Sequence, residues 1–132
     1  MDVRSPREAS QLSTTMTMSW RTVLAGIAAT AGIGYLVYAA TIHEFPPAGF
    51  VYGTLLLLAA LWVRRSGSRV AIGVAGLLHA FELFNTLFVY GNPAMVANPA
   101  AWQDFLVGVF FIVINAAGVV AAIGAWRTRP SR

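Results

Sequence analysis

The chain divides into four long apolar runs separated by short segments rich in charge, proline and glycine. The first run, Val23 to Ile42, carries no charged residue. At about 1.5 Å per residue, a helix of about 20 residues crosses the roughly 30 Å hydrocarbon core of a bilayer. His43, Glu44, Phe45, Pro46 and Pro47 interrupt the pattern, because paired prolines cannot continue a helix yet suit the first turn of the next. A second run, 47–63, is the shortest and ends at Arg64 and Arg65, whose long side chains can reach the interface. Ser66, Gly67 and Ser68 form a tight turn before the third run, 70–90, which is apolar except for His79, Glu82, Asn85 and Thr86. Residues 91–101, with Pro93 and Pro99 each preceded by Asn, read as a turn-rich loop. The fourth run covers 104–126. Residues 1–19 and 127–132 are charged, lack apolar periodicity and read as tails, the first of them mobile.

Backbone groups cannot stay unpaired in lipid, so each run must be a helix or part of a closed barrel. Barrel strands would alternate over about 10 residues, and these runs are continuous over roughly 17 to 23. The expected fold is therefore an all-α integral membrane protein of four antiparallel transmembrane helices. Composition agrees: 58% of the 132 residues are hydrophobic and 11% charged, against about 45–50% and about 25% in soluble domains.

The nine basic residues, all arginine, outnumber five acidic ones and give a net charge of +4, which by itself would suit a nucleic-acid partner. Their placement speaks against it. Arg4, Arg7 and Arg21 precede the first run, Arg64, Arg65 and Arg69 flank the second turn, and Arg127, Arg129 and Arg132 follow the fourth run. The other two connections hold none, so the positive-inside rule places both termini in the cytoplasm of a multi-pass cell-membrane protein whose surroundings are the lipid bilayer. Trp20, Trp62, Tyr90, Trp102 and Trp126 fall near the interfaces, as aromatic belts do. The first run exceeds the about 7–15 apolar residues of a signal peptide and is expected to be retained. The absence of cysteine excludes disulfides, thiolate metal sites and thiol redox chemistry.

The chemistry concentrates in the third run. Counted from Val70, His79 lies roughly 13 Å and Glu82 roughly 18 Å into the membrane, on either side of the midplane. A carboxylate there costs about 2.5 kcal/mol or more, so it should face the bundle and find a partner or keep its proton. A spacing of three places His79 and Glu82 on one face, and Thr86 adds a hydroxyl one turn further. Asn115, Tyr35 and Thr54 fall at similar depth on the other runs, so these residues could form one polar layer. The layer admits two readings: a pocket in which Glu82 exchanges a proton beside His79, or a clamp of interhelical hydrogen bonds worth about 0.6 kcal/mol each. For Asn115 the clamp is the favoured reading, and for His79 with Glu82 the pocket.

His43 belongs at the outer rim, more than about 10 Å in depth from His79, so the two histidines cannot share a haem within one protomer. A zinc or iron site needs about three or four ligands, so no metal or other cofactor is expected. His43, Glu44 and Asp104 form a solvated outer rim or the mouth of a cavity. Gly26, Thr30 and Gly34 recur at four-residue spacing, as do Gly76 with Ala80 and Gly118 with Ala122, a pattern that lets helices approach closely.

By this apolar layout the chain resembles the small four-span bacterial membrane proteins of the DoxX-like type, which implies a bacterial inner-membrane protein. The resemblance covers the layout, and many proteins of that type have no assigned activity. Three functions remain open: binding or transport of a small amphiphilic molecule, coupled to a proton or not; a structural or accessory subunit of a larger membrane complex or homo-oligomer; and an intramembrane enzyme on a lipid-soluble substrate. The enzyme has the least support, because acid–base catalysis needs a substrate-sized cavity beside the pair.

Overall fold

The structure, a computed structural model, describes residues 18–41, 48–89 and 92–128. Among them are five helices: α1 (Trp20–Thr41), α2 (Ala48–Ser66), α3 (Arg69–Phe88), α4 (Asn92–Ala97) and α5 (Trp102–Arg127). Helices α1, α2, α3 and α5 have 22, 19, 20 and 26 residues and are long and apolar enough to cross a membrane. The large side chains left outside the bundle include Ile33, Val37, Leu58, Leu77, Phe88 and Val113. In water these would be exposed apolar patches of a kind soluble monomers avoid; in lipid they are ordinary surface.

Close packing in the bundle rests on small residues. A Cβ on Gly32 of α1 would come within 2.8 Å of the Gly53 carbonyl oxygen of α2, and one on Gly53 would come equally close to the Gly32 carbonyl. The two backbones touch there. On α3, a Cβ on Gly76 would lie 2.8 Å from Ala122 Cβ of α5. The stripe expected on α1 is a different one: Gly26 and Thr30 are exposed, and a Cβ on Gly26 would meet nothing within 4 Å. Two small-residue stripes share that helix, and the one through Ala28, Ala31 and Gly32 is buried. The expected pair Gly118 and Ala122 is buried on α5, whereas Ala80 is exposed.

The link between α2 and α3 shows local sequence determinants at work. Gly67 has φ of 55°, the left-handed conformation in which glycine commonly ends a helix, and its N–H donates to Val63 O at 3.0 Å. Ser68 then caps α3, its Oγ accepting from Ala71 N at 3.1 Å. Arg21 of α1 donates from Nε to Val63 O at 2.9 Å and from its other guanidinium nitrogen to Arg64 O. A cation is thus held against the negative end of the α2 dipole and ties α1 to it.

The 91–101 segment is not wholly a loop, because Asn92–Ala97 forms α4. Pro93 sits in its first turn, where a missing N–H costs nothing, so the Asn-Pro pair opens a helix instead of breaking one. This helix seats on α5 at Gly108, whose added Cβ would lie 3.1 Å from Val96 Cγ2. Helices α1, α3 and α5 begin three, one and two residues before their expected starts, α2 and α5 end three and one residues beyond their expected ends, and α3 stops at Phe88. Tyr90, His43, Glu44 and, of the tails, residues 1–17 and 129–132 lie outside the described residues.

Candidate functional site

A chain of hydrogen bonds crosses the bundle from α3 through α5 and α1 and back to α3. Asn115 of α5 is fully buried, and its amide nitrogen donates to Phe111 O at 2.8 Å and to the Tyr35 hydroxyl at 3.0 Å. A carbonyl can only accept, so the Phe111 contact fixes which end of the amide carries nitrogen. Asn115 Oδ1 is therefore an acceptor, and His79 Nδ1, 2.9 Å away, must be the donor. The neutral His79 ring is thereby the Nδ1–H tautomer, and its buried Nε2 has no partner among the described residues. Having accepted from Asn115, the Tyr35 hydroxyl gives its one proton to Glu82 Oε2 at 3.0 Å. Every donor points the same way, from His79 toward Glu82.

His79 and Glu82 share a face of α3, as their spacing requires, but Asn115 and Tyr35 join them in place of a direct bond. An amide in the middle transmits hydrogen-bond orientation, whereas relaying a proton would require its imidic tautomer. The chain thus holds the Tyr35 hydroxyl as a donor to Glu82 and keeps the two titratable groups apart.

Gly118 makes this arrangement possible, because a Cβ there would overlap the His79 ring. Gly118→Ala is expected to destabilise the bundle by about 1–2 kcal/mol through overpacking. Thermal unfolding in detergent would show it, with Gly26→Ala, which meets open space, unchanged or slightly more stable.

On the far side of Tyr35 and Glu82 lies a cavity of about 290 Å³, bounded by α1, α2, α3, α4 and α5. At about 30 Å³ per water, it has room for roughly ten. His79 and Asn115 are not among its walls, and Glu82, half-buried, is. Aromatic rings make a continuous wall around the carboxyl: Tyr52 lies edge-on to Tyr35 with centroids 5.5 Å apart, Tyr35 stacks on Phe111 at 4.3 Å, and Phe111 meets Tyr38 at 5.7 Å. Phe81 stacks on Tyr52 at 6.3 Å. Buried Asn85 and Thr86, one turn beyond Glu82, complete the polar part, and Met95 of α4 closes over it.

Of the residues expected in the polar layer, the structure brings together His79, Glu82, Asn115 and Tyr35, and it places Thr86 on the cavity wall. Thr54 is not among them. It is exposed on α2, its hydroxyl donating to its own helix at Phe50 O, 2.8 Å away. Depth along a helix was the basis for including it, and depth leaves the rotation of the helix open. The helix instead presents Tyr52, whose hydroxyl donates to Leu78 O of α3. Asp104 is exposed in the first turn of α5, near enough to Tyr38 for its charge to act on that ring. Asn85 could have been found from spacing alone, being three residues beyond Glu82.

Compared with known protein families, curated proteins and solved structures, the chain has no match.

Proposed function

We propose that the protein is a small-molecule binding or transport module of a cell membrane, with four antiparallel spans and both termini cytoplasmic. Its ligand is amphiphilic, with an apolar body against the ring wall and a polar group at Glu82. The observation that carries this reading is the cavity that reaches Glu82. A packed centre would have favoured an accessory subunit; a costly carboxyl beside an open, mostly apolar space is the expected form of a ligand site. Glu82 carries a proton when the cavity is empty and exchanges it on binding, while His79 and Asn115 position Tyr35 from behind.

Filling the cavity tests the reading. Small molecules that co-purify with the wild type and with Val107→Trp would be extracted and compared by mass spectrometry. An amphiphile retained by the wild type and lost from the filled variant is expected; identical extracts would count against a ligand site.

The orientation has its own test, since a chain without cysteine accepts single thiols cleanly. A thiol at Ser68 should be shielded from an impermeant reagent in intact cells, and one at Ala97 should react. The opposite pattern would invert the topology.

A further inference from the structure

We infer that the cavity beside Glu82 is selective for a small organic cation, an amine or quaternary ammonium with an apolar body. The inference rests on reading the cavity as a ligand site and adds the charge of what it holds.

Three features of the cavity point the same way. The first is the direction of its hydrogen bonds. Tyr35 spends its proton on Glu82 and Tyr52 spends its own on Leu78 O, so both hydroxyls offer only lone pairs to anything else. The carboxyl accepts from Tyr35 at Oε2 and also from the Asn85 side chain, and what it offers a ligand is its remaining lone pairs. Apart from the Asn85 amide and the Thr86 hydroxyl, the polar wall is one of acceptors, which suits a ligand that donates or is positively charged.

The second is the ring wall. Tyr35, Tyr38, Tyr52, Phe81 and Phe111 surround one carboxyl, and aromatic rings around a cation supply attraction of about 0.5–1 kcal/mol each when exposed and about 2 or more when desolvated. An anion would face the same rings unfavourably. The third is charge. No wall residue is basic, and none of the five arginines among the described residues lines the cavity: Arg21 and Arg64 border a groove between α1 and α2, Arg69 stacks over Trp126 at 5.7 Å, Arg127 borders a groove between α3 and α5, and Arg65 is exposed at the end of α2. An anionic ligand would find no cationic partner, whereas a cation completes the charge of Glu82 in a place where an unpaired carboxylate is costly.

Binding is then an exchange: Glu82 releases its proton to water in the open cavity and the carboxylate takes the cation, so one positive charge leaves as one enters. Tyr35 from α1 and Tyr52 from α2 are the other titratable groups against Glu82, with His79 of its own helix behind Asn115. Tyr38 of α1, near Asp104, completes the wall, and α4 and α5 contribute no titratable wall residue. Affinity for a permanent cation should therefore fall by about tenfold per pH unit as Glu82 becomes protonated.

The test uses the full chain in lipid nanodiscs with ¹³C-methyl methionine. Of the four methionines, Met95 lines the cavity and Met18 is exposed at the start of the described chain, so the Met95 methyl, assigned by its loss in Met95→Leu, reports the site and the Met18 methyl reports general partitioning. The probes are benzyltrimethylammonium and its uncharged carbon isostere, neopentylbenzene. The cation should shift Met95 saturably and leave Met18 unmoved, with at least tenfold higher affinity than the isostere. Glu82→Gln should abolish that preference. If the isostere binds as well as the cation, or Glu82→Gln keeps the preference, cation selectivity is overturned while the ligand site stands. If neither probe moves Met95, both the selectivity and the ligand site fail.

Discussion

Replacing Asn115 with leucine is expected to destabilise the bundle by roughly 3 kcal/mol, more than any other single polar deletion in the described core. Leucine has similar bulk, so no large cavity opens and the loss is electrostatic. The variant strands the His79 Nδ1–H and removes the donor to the Tyr35 hydroxyl and to Phe111 O. An interhelical hydrogen bond in a membrane is worth about 0.6 kcal/mol on average because the separated helices find other partners. His79 and Asn115 are 0% exposed, so the stranded groups find none, and the cost of about 1 kcal/mol or more for each unsatisfied group applies instead. Thermal unfolding in detergent would measure it. Adding His79→Leu to Asn115→Leu should cost little further, because the second change removes the donor that the first one strands. If the two single losses simply add, the chain of bonds is not a unit.

The four spans were legible because continuous apolar runs bounded by arginine, proline and glycine leave few alternatives in lipid, and the described helix limits fall within a few residues of those runs. What could be computed from the sequence was depth. Counting rise per residue put Tyr35, Asn115 and Glu82 at one level, and they meet there. Rotation about the helix axis was not legible on α2 or for the small residues of α1. On α2 the count selected Thr54, whose hydroxyl turns back on its own helix, and passed over Tyr52, two residues earlier and on the inner side. On α1 a regular spacing favoured Gly26, Thr30 and Gly34; Gly34 does pack closely, its added Cβ lying 3.0 Å from Phe110 of α5, but Gly26 and Thr30 are exposed and the backbone approach to α2 occurs at Gly32. Small residues are common in such helices, so spacing alone cannot choose between stripes. Helix α4 was hidden for another reason: proline is read as an interruption unless its position within a first turn is known, and that position depends on where Asn92 begins the helix. The cavity itself had no sequence signal, since its walls come from all five helices.

The central claim is that Glu82 is a proton-exchanging carboxyl of a ligand cavity and not one half of a buried ionic clamp. Glu82→Gln should abolish the proton exchange and the preference for a cation and leave the fold intact. Glutamine keeps a carbonyl oxygen to accept from Tyr35, and it removes a group whose charge is expensive in lipid. The partner that a clamp would need is absent from direct reach, because His79 is separated from Glu82 by Asn115 and Tyr35. Thermal unfolding of the wild type and Glu82→Gln in the same detergent tests this most directly. An equal or higher unfolding temperature for Glu82→Gln is the result predicted here; a fall corresponding to about 3–5 kcal/mol, the cost of breaking a buried ion pair, would contradict it.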